Sequence, residues 1–282
     1  MMSVINIIFL IILVLVILWV VLNNTIFKTN ILYDQMCDAT KPAVMNGDGA
    51  SVDNIILNKN IPGTNSANFM LSVWFYIDNW GNNISKEKNI LFMSNSPTAV
   101  TAPNLDSLSG ISTKATLAPP QTGSPVRKNL NIVLDKYENN LFIDIECLPD
   151  KPADINKIYY TRYKIPNIPV QKWNNLTISI DTRTLDVYLD GKLRNSFIMH
   201  GLYKNDINAL NNIYLGEINT TNAGFQGFIT RVRFIGDSIT PQDAYNIYKE
   251  GINASLAQSL FNKYRLKVSF LEYNTEKASF QI

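Results

Sequence analysis

From about residue 50 onward, apolar and polar positions alternate with the two-residue period of half-buried strands. "NFMLSVWFYIDNW" is the longest such run: Phe69, Leu71, Val73, Phe75 and Ile77 fall on one face, and Met70, Ser72, Trp74 and Tyr76 on the other. Both faces are largely apolar, which predicts a central sandwich strand whose outer face is partly covered. Further strands are predicted near Ile55–Leu57 and over 89–93, 129–135, 140–148, 175–180, 185–189, 192–198, 212–218 and 225–236. The pair at 129–148 reads as a hairpin and 175–198 as a three-stranded meander. In "LDVYLDGKL" the alternation runs into Asp190-Gly191, the signature of a two-residue type I′ turn in which both residues take positive φ.

Three segments break this pattern. Residues 94–126 are rich in Ser, Thr, Pro and Ala with almost no charge and read as a long loop. Thr240 as N-cap, Pro241 at the first helical position, Asp243 three residues after the cap and Gly251 beyond "AYNIYKE" predict one short helix. Residues 4–22, from Val4 to Leu22, carry one polar residue, Asn6, and no charge. As a helix they would span about 28 Å, the thickness of a hydrocarbon core. No basic residue precedes the run and no small-x-small cleavage site follows it, which favours a retained single-span anchor over a signal peptide. Lys28 and Lys41 follow the span, so the positive-inside bias leans toward a cytoplasmic C-terminal domain.

The chain divides accordingly into an anchor (1–25), a polar stalk (26–52), an all-β domain (53–252) and a C-terminal extension (253–282). In the extension, "ASLAQSLFNKY" suggests a second helix, and the last residues alternate again. No βαβ pattern or glycine-rich phosphate loop is present, so the fold class is all-β, a sandwich or barrel.

Net charge is +2, from 25 basic and 23 acidic residues, with no basic cluster, so nothing points to nucleic acid. Asparagine makes up about one residue in eight, well above ordinary usage, and strips the Asn-x-Ser/Thr sites at Asn23, Asn83, Asn175, Asn219 and Asn253 of diagnostic weight. Cys37 and Cys147 read as free thiols of a reducing compartment, although two cysteines could also pair. The single histidine, His200, excludes His-pair zinc sites, and its place beside Gly201 at a strand end favours a solvated or capping role.

The order "FMLSVWFYIDNW", "IPVQKWNNLTISIDTRTLDVYLDGKL" and "IYLGEI…FQGFITRVRFIGDSITPQDAYNIYKEG" resembles the laminin-G-like jelly roll of the concanavalin A-like lectin/glucanase superfamily over residues 50–252. More narrowly, these stretches are similar to the membrane-anchored form found in large DNA viruses of algae and protists. The resemblance implies a two-sheet antiparallel jelly roll with an N-terminal transmembrane helix and a short C-terminal helix. It also implies a single-pass virion protein, at the interface between capsid proteins and an internal membrane of host origin.

Four kinds of site follow from that resemblance. Hydrolases of the superfamily set catalytic carboxylates on alternate residues of one strand. In "FIDIECL", Asp144 and Glu146 share a face, but Phe142 stands at the nucleophile's position, so the reading is non-enzymatic. "NGDG" at 46–49 offers hard oxygen ligands for calcium and is equally ordinary turn chemistry, so no cofactor is assigned. Trp80 and Tyr203 would stack on a glycan if exposed, whereas Trp74, Trp80 and Trp173 read first as packing residues. Asp186 and Asp190 read as outer-face and turn residues. The expected function is a membrane-anchored structural protein contacting other proteins, with a glycan-binding lectin for host attachment as the alternative and a glycoside hydrolase third. The loop 94–126 and the tail 253–282 are the first contact candidates.

Overall fold

The computed structural model describes residues 30–42, 44–45, 51–52, 54–63, 66–101, 112–117, 126–148, 158–204, 211–252, 267–272 and 275–281. The expected anchor at 4–22, the "NGDG" cluster and the second helix lie outside them. Among the described residues, no helix is long and apolar enough to cross a membrane.

The strands are β1 (Ile31–Tyr33), β2 (Cys37–Asp38), β3 (Val44–Met45), β4 (Ser51–Val52), β5 (Ile55–Ile56), β6 (Phe69–Asn79), β7 (Lys88–Ser94), β8 (Ser112–Leu117) and β9 (Leu130–Leu134). They continue with β10 (Leu141–Cys147), β11 (Ile158–Ile165), β12 (Trp173–Asp181), β13 (Thr184–Leu189), β14 (Lys192–Ile198), β15 (Asn212–Leu215), β16 (Gln226–Ile235), β17 (Lys267–Glu272) and β18 (Thr275–Gln281). Two seven-stranded sheets face each other. The first runs β1-β16-β6-β12-β13-β14 with β2 also on β16, and the second runs β5-β15-β7-β9-β10-β11-β8. β3–β4 and β17–β18 form separate hairpins.

Period-two alternation builds the core. Phe69, Leu71, Val73, Phe75 and Ile77 of β6 are buried in one cluster with Ile143 and Ile145 of β10 and with Ile178 and Ile180 of β12. The opposite face of β6 is covered by α1 (Pro241–Glu250), where Tyr248 stacks on Trp74 at 5.7 Å between ring centroids. α1 begins as its sequence predicts: Thr240 Oγ1 accepts the Asp243 N–H while the Asp243 carboxylate accepts the Thr240 N–H. Gly251 ends it at φ +71°.

The β13–β14 turn matches its prediction, with Asp190 at φ 52° and Gly191 at φ 71°. Glycine is needed there twice over, since a Cβ on Gly191 would stand 2.8 Å from Tyr248 Cβ. Asp190 is turn chemistry as read, accepting the Asn175 N–H at 3.0 Å and pairing with Lys172 at 2.7 Å. Asp186, on the outer face, accepts the Ser196 hydroxyl at 2.5 Å.

Three expectations of the fold need correction. Residues 26–52 are not all stalk, since β1 and β2 join the first sheet on β16 and bury Cys37 and Ala39 in the core. The segment 94–126 is not wholly loop: Ser112–Leu117 form β8, which pairs with β11 through Thr116↔Tyr159 and Lys114↔Thr161. β11 itself was not predicted. "IYYTRYKI" alternates, but it carries Arg and Lys on one face and follows a Pro- and Asp-containing stretch, so its partners become visible only in the folded sheet.

Candidate functional site

The outer face of the second sheet carries the densest polar constellation among the described residues. In β10, Leu141, Ile143, Ile145 and Cys147 point into the core, so Phe142, Asp144 and Glu146 point away from it. The antiparallel registers set Arg162 of β11 and Asn131 of β9 directly across from Asp144, and Tyr160 across from Glu146. Same-face neighbours in such pairs lie close enough for side chains to meet.

They meet as ion pairs. Arg162 grips Asp144 with two bonds, Nε to Oδ1 at 2.6 Å and Nη2 to Oδ2 at 2.8 Å. Its far edge takes Glu87 just before β7, at 2.6 and 3.2 Å, and its guanidinium lies 4.5 Å above the Phe142 ring. Burial works against the Arg162 charge, but Asp144 and Glu87 together hold it firmly protonated. Asn131 Nδ2 donates to Asp144 Oδ2 at 2.9 Å, and Lys128 Nζ donates to Asn131 Oδ1 at 3.1 Å. Lys128 lies 4.6 Å from the Phe92 ring. Burial pushes its ammonium down to about 8, against the pull of Asp144 and Glu87.

Glu146 is paired separately, with Lys204 Nζ at 2.8 Å, and accepts a hydrogen bond from Asn129 Nδ2 at 3.2 Å. Burial and the Glu146 carboxylate drive the Tyr160 phenol far above its ordinary range. Both carboxylates are therefore sequestered, at 2% and 4% exposure, each with a cation and an amide. A retaining hydrolase needs one carboxylate free to attack and one free to protonate. Asp144 and Glu146 are each buried and ion-paired, and Phe142 fills the third position on the strand.

Beside this network opens a groove of about 380 Å³, lined by Glu87, Phe142, Arg162, Lys164 and the turn residues 135–138. Its wall is the β9–β10 turn. Asn140 Nδ2 ties the turn together through Asp135 and Glu138 at 3.3 and 2.6 Å. From below, the buried Lys88 ammonium donates to the Asp135 and Lys136 carbonyls at 3.2 and 3.0 Å. Burial lowers the Lys88 pKa, with Asp135 opposing. Tyr137 stands at the turn with 69% of its surface exposed. Charges of both signs beside an open aromatic ring suit a polar, hydroxyl-rich ligand.

The glycan-contact residues expected from sequence do not meet here. Tyr203 is a correction: at 3% exposure it packs edge-on against Phe69 at 5.0 Å in the core, because its strand-end position faces inward. Trp80 is half-buried against the core, with Lys88 Nζ 5.2 Å from its ring. Trp74 and Trp173 are packing residues, the latter tilted against Tyr76. His200 sits at the β14 end with Nδ1 3.2 Å from Thr161 Oγ1. Cys37 and Cys147 are both buried and unbridged. Among the described residues no cluster of three or more His, Cys, Asp or Glu is placed to hold a metal. Sequence reading missed Glu87, Lys128 and Arg162, and the one signal for the groove was a tyrosine inside the polar turn "DKYENN".

Residues 155–244 match the family model of the concanavalin A-like lectin/glucanases superfamily. Over that span the sandwich is similar to concanavalin A-like lectins and glucanases. The match covers the end of the outer-face network, the meander, β16 and the start of α1, and bears out the resemblance read from the sequence over that span. No curated protein matches the chain. Similar solved structures include the botulinum neurotoxin type G receptor binding domain, 13% identical with TM-score 0.39, covering 65% of this chain and 38% of that one. A Trypanosoma rangeli sialidase in complex with 2,3-difluoro-KDN is 11% identical, TM-score 0.44, covering 76% and 28%. The binding domain of botulinum neurotoxin DC, in complex with rat synaptotagmin II, is 10% identical, TM-score 0.43, covering 78% and 46%. This chain thus spans under half the length of each of those chains.

Proposed function

We propose that this chain is a non-enzymatic interaction protein, in which residues 4–22 tether a concanavalin A-like sandwich to a membrane and the sandwich binds another protein. The observation that carries the non-catalytic reading is the pairing of Asp144 with Arg162 and of Glu146 with Lys204, both carboxylates buried, with Phe142 in the third position. The apolar run and the likeness to membrane-anchored viral jelly rolls support a place in a virion, between an internal membrane and the capsid proteins. Protease and antibody accessibility in purified particles tests this: protection until the shell is opened is expected, and cleavage on intact particles would count for attachment instead. A reducing-sugar assay on β-glucans is expected to show no turnover; turnover lost in Glu146→Gln would refute the non-catalytic reading.

The groove favours a second reading, a glycan ligand, because Tyr137 offers an open ring face beside hydrogen-bonding groups of both polarities. A glycan array read with the wild-type chain and Tyr137→Ala tests it. Retention above background that the variant loses would support a lectin, and an array without hits would remove it.

A further inference from the structure

The two faces of β6 differ in kind. Toward the core it sends Phe69, Leu71, Val73, Phe75 and Ile77, and outward, beneath α1, it sends Ser72 and Trp74. Register supplies the neighbours on that outer face: Thr177 of β12 lies across from Ser72, Asn175 across from Trp74, and Tyr188 of β13 across from Thr177. All five side chains are buried. A sheet face under a helix ordinarily packs through apolar contacts, but this one is largely polar and satisfies itself. Asn175 Nδ2 donates to Ser72 Oγ at 3.1 Å, and Thr177 Oγ1 lies 2.8 Å from Ser72 Oγ and 3.1 Å from Asn175 Oδ1. None of these bonds reaches α1, whose own buried side chains are Ala244 and Ile247.

The helix is held chiefly at its C-terminal end. Tyr248 stacks on Trp74 and sits against Gly191. Glu250, the last helical residue, accepts from Arg231 Nη2 at 3.5 Å and from Arg233 Nη2. A β-bulge brings both arginines to it, since β16 takes three steps from Thr230 to Arg233 where β6 takes two from Trp74 to Ser72. Val232 still points into the core, so Arg231 is the extra residue, at φ 47°, a conformation that bulky residues adopt only where their surroundings hold them. Burial and the like charge of Arg233 pull the Arg231 pKa down, against Asp34 and Glu250. At the other end, the Ile239 N–H donates to Ser179 Oγ at 3.0 Å just before α1 begins.

We propose that α1 is a latched lid, with Glu250 as its latch, that lifts from the first sheet as a unit while the sandwich stays folded. Lifting breaks the Glu250 pairs, the Ile239 bond and the Tyr248 stack, and exposes Ala244 and Ile247. The polar bed keeps its own hydrogen bonds, and both guanidiniums meet water as the helix leaves, so no charge is stranded. Elements with few buried apolar contacts open at lower free energy than the core they cover. The face uncovered carries Trp74 and Tyr188 beside the amide and hydroxyls of Asn175, Ser72 and Thr177.

The full chain in detergent provides the test. Iodoacetamide modifies Ser72→Cys, beneath α1, and the native Cys147, buried in the core, with rates normalised to the urea-unfolded chain. Position 72 is expected to react at least about tenfold faster than Cys147, through lid opening and not unfolding. Equal normalised rates overturn the lid. Adding Glu250→Gln is expected to speed position 72 roughly tenfold, because hydrogen bonds to charged groups are lost. An unchanged rate overturns the latch. Wild-type hydrogen exchange needs no variant: α1 amides are expected to exchange with a weaker urea dependence than those of β6 and β12. One common urea dependence overturns the lid even if Ser72→Cys does not fold.

Discussion

Lys128 makes the stability of this sandwich rise with pH, the reverse of a lysine held charged by a carboxylate partner. Lys128 is 4% exposed and its ammonium donates to the neutral Asn131 side chain, so burial depresses it from an ordinary 10.5 to about 8. That depression corresponds to roughly 3 kcal/mol by which the folded state disfavours the charged form. Below about pH 8 the group is protonated in both states and the whole cost is present. Between about 8 and 10.5 the unfolded chain binds more protons than the folded one, so stability rises with pH, and the cost is gone above that window. Lys128→Met removes the titration. At pH 7 the relieved burial is partly cancelled, because an unsatisfied Asn131 acceptor costs about 1–3 kcal/mol. The discriminating quantity is therefore the slope and not the value at one pH. Urea unfolding of the detergent-solubilised full chain, followed by near-ultraviolet circular dichroism from pH 7 to 10.5, measures it. The wild-type protein is expected to gain about 3 kcal/mol relative to Lys128→Met across that range. Profiles that stay parallel within about 0.5 kcal/mol would show that Lys128 is solvated or directly paired, and the reasoning would fail.

The same assay checks the rest of the architecture. Arg162→Met leaves buried Asp144 and its neighbour Glu87 without their shared cation and is expected to cost about 3–5 kcal/mol; Arg162→Met with Asp144→Asn should recover part of it, and an unchanged midpoint in the single variant would refute the paired network. Gly201→Ala drives a Cβ to 2.0 Å from the Leu148 carbonyl oxygen and is expected to destabilise by about 1–3 kcal/mol, read as a lower urea midpoint at unchanged slope. Thr240→Ala removes the α1 cap, with an expected loss of about 1 kcal/mol; no loss would mean that Asp243 caps the helix alone.

What could be read from the residues is what depends on near neighbours in the chain. The alternation in β6, the Asp190-Gly191 turn and the capping box at Thr240 each follow from backbone sterics and a period, and each stands in the structure as read. Their order along the chain also carried the concanavalin A-like resemblance. Outward-facing residues could not be judged in the same way. Tyr203, a polar-tipped aromatic near a strand end, reads the same from sequence whether it faces solvent or Phe69, and only its bridge to Cys147 of the second sheet, with the first sheet packed against it, decides. Asp144 and Glu146 look like half of a catalytic strand until β11, not foreseen at all, sets Arg162 across from one of them and Lys204 comes from beyond β14 to the other. Partners 18 and 58 residues away have no local signature, because their pairing is fixed by sheet register and loop closure rather than by neighbouring residues. The sequence by itself therefore determined the sandwich, its turns and its short helix. The tertiary structure alone decided which of its charges are buried and paired, and which aromatic rings face the core or the solvent, because both depend on contacts between residues far apart in the chain.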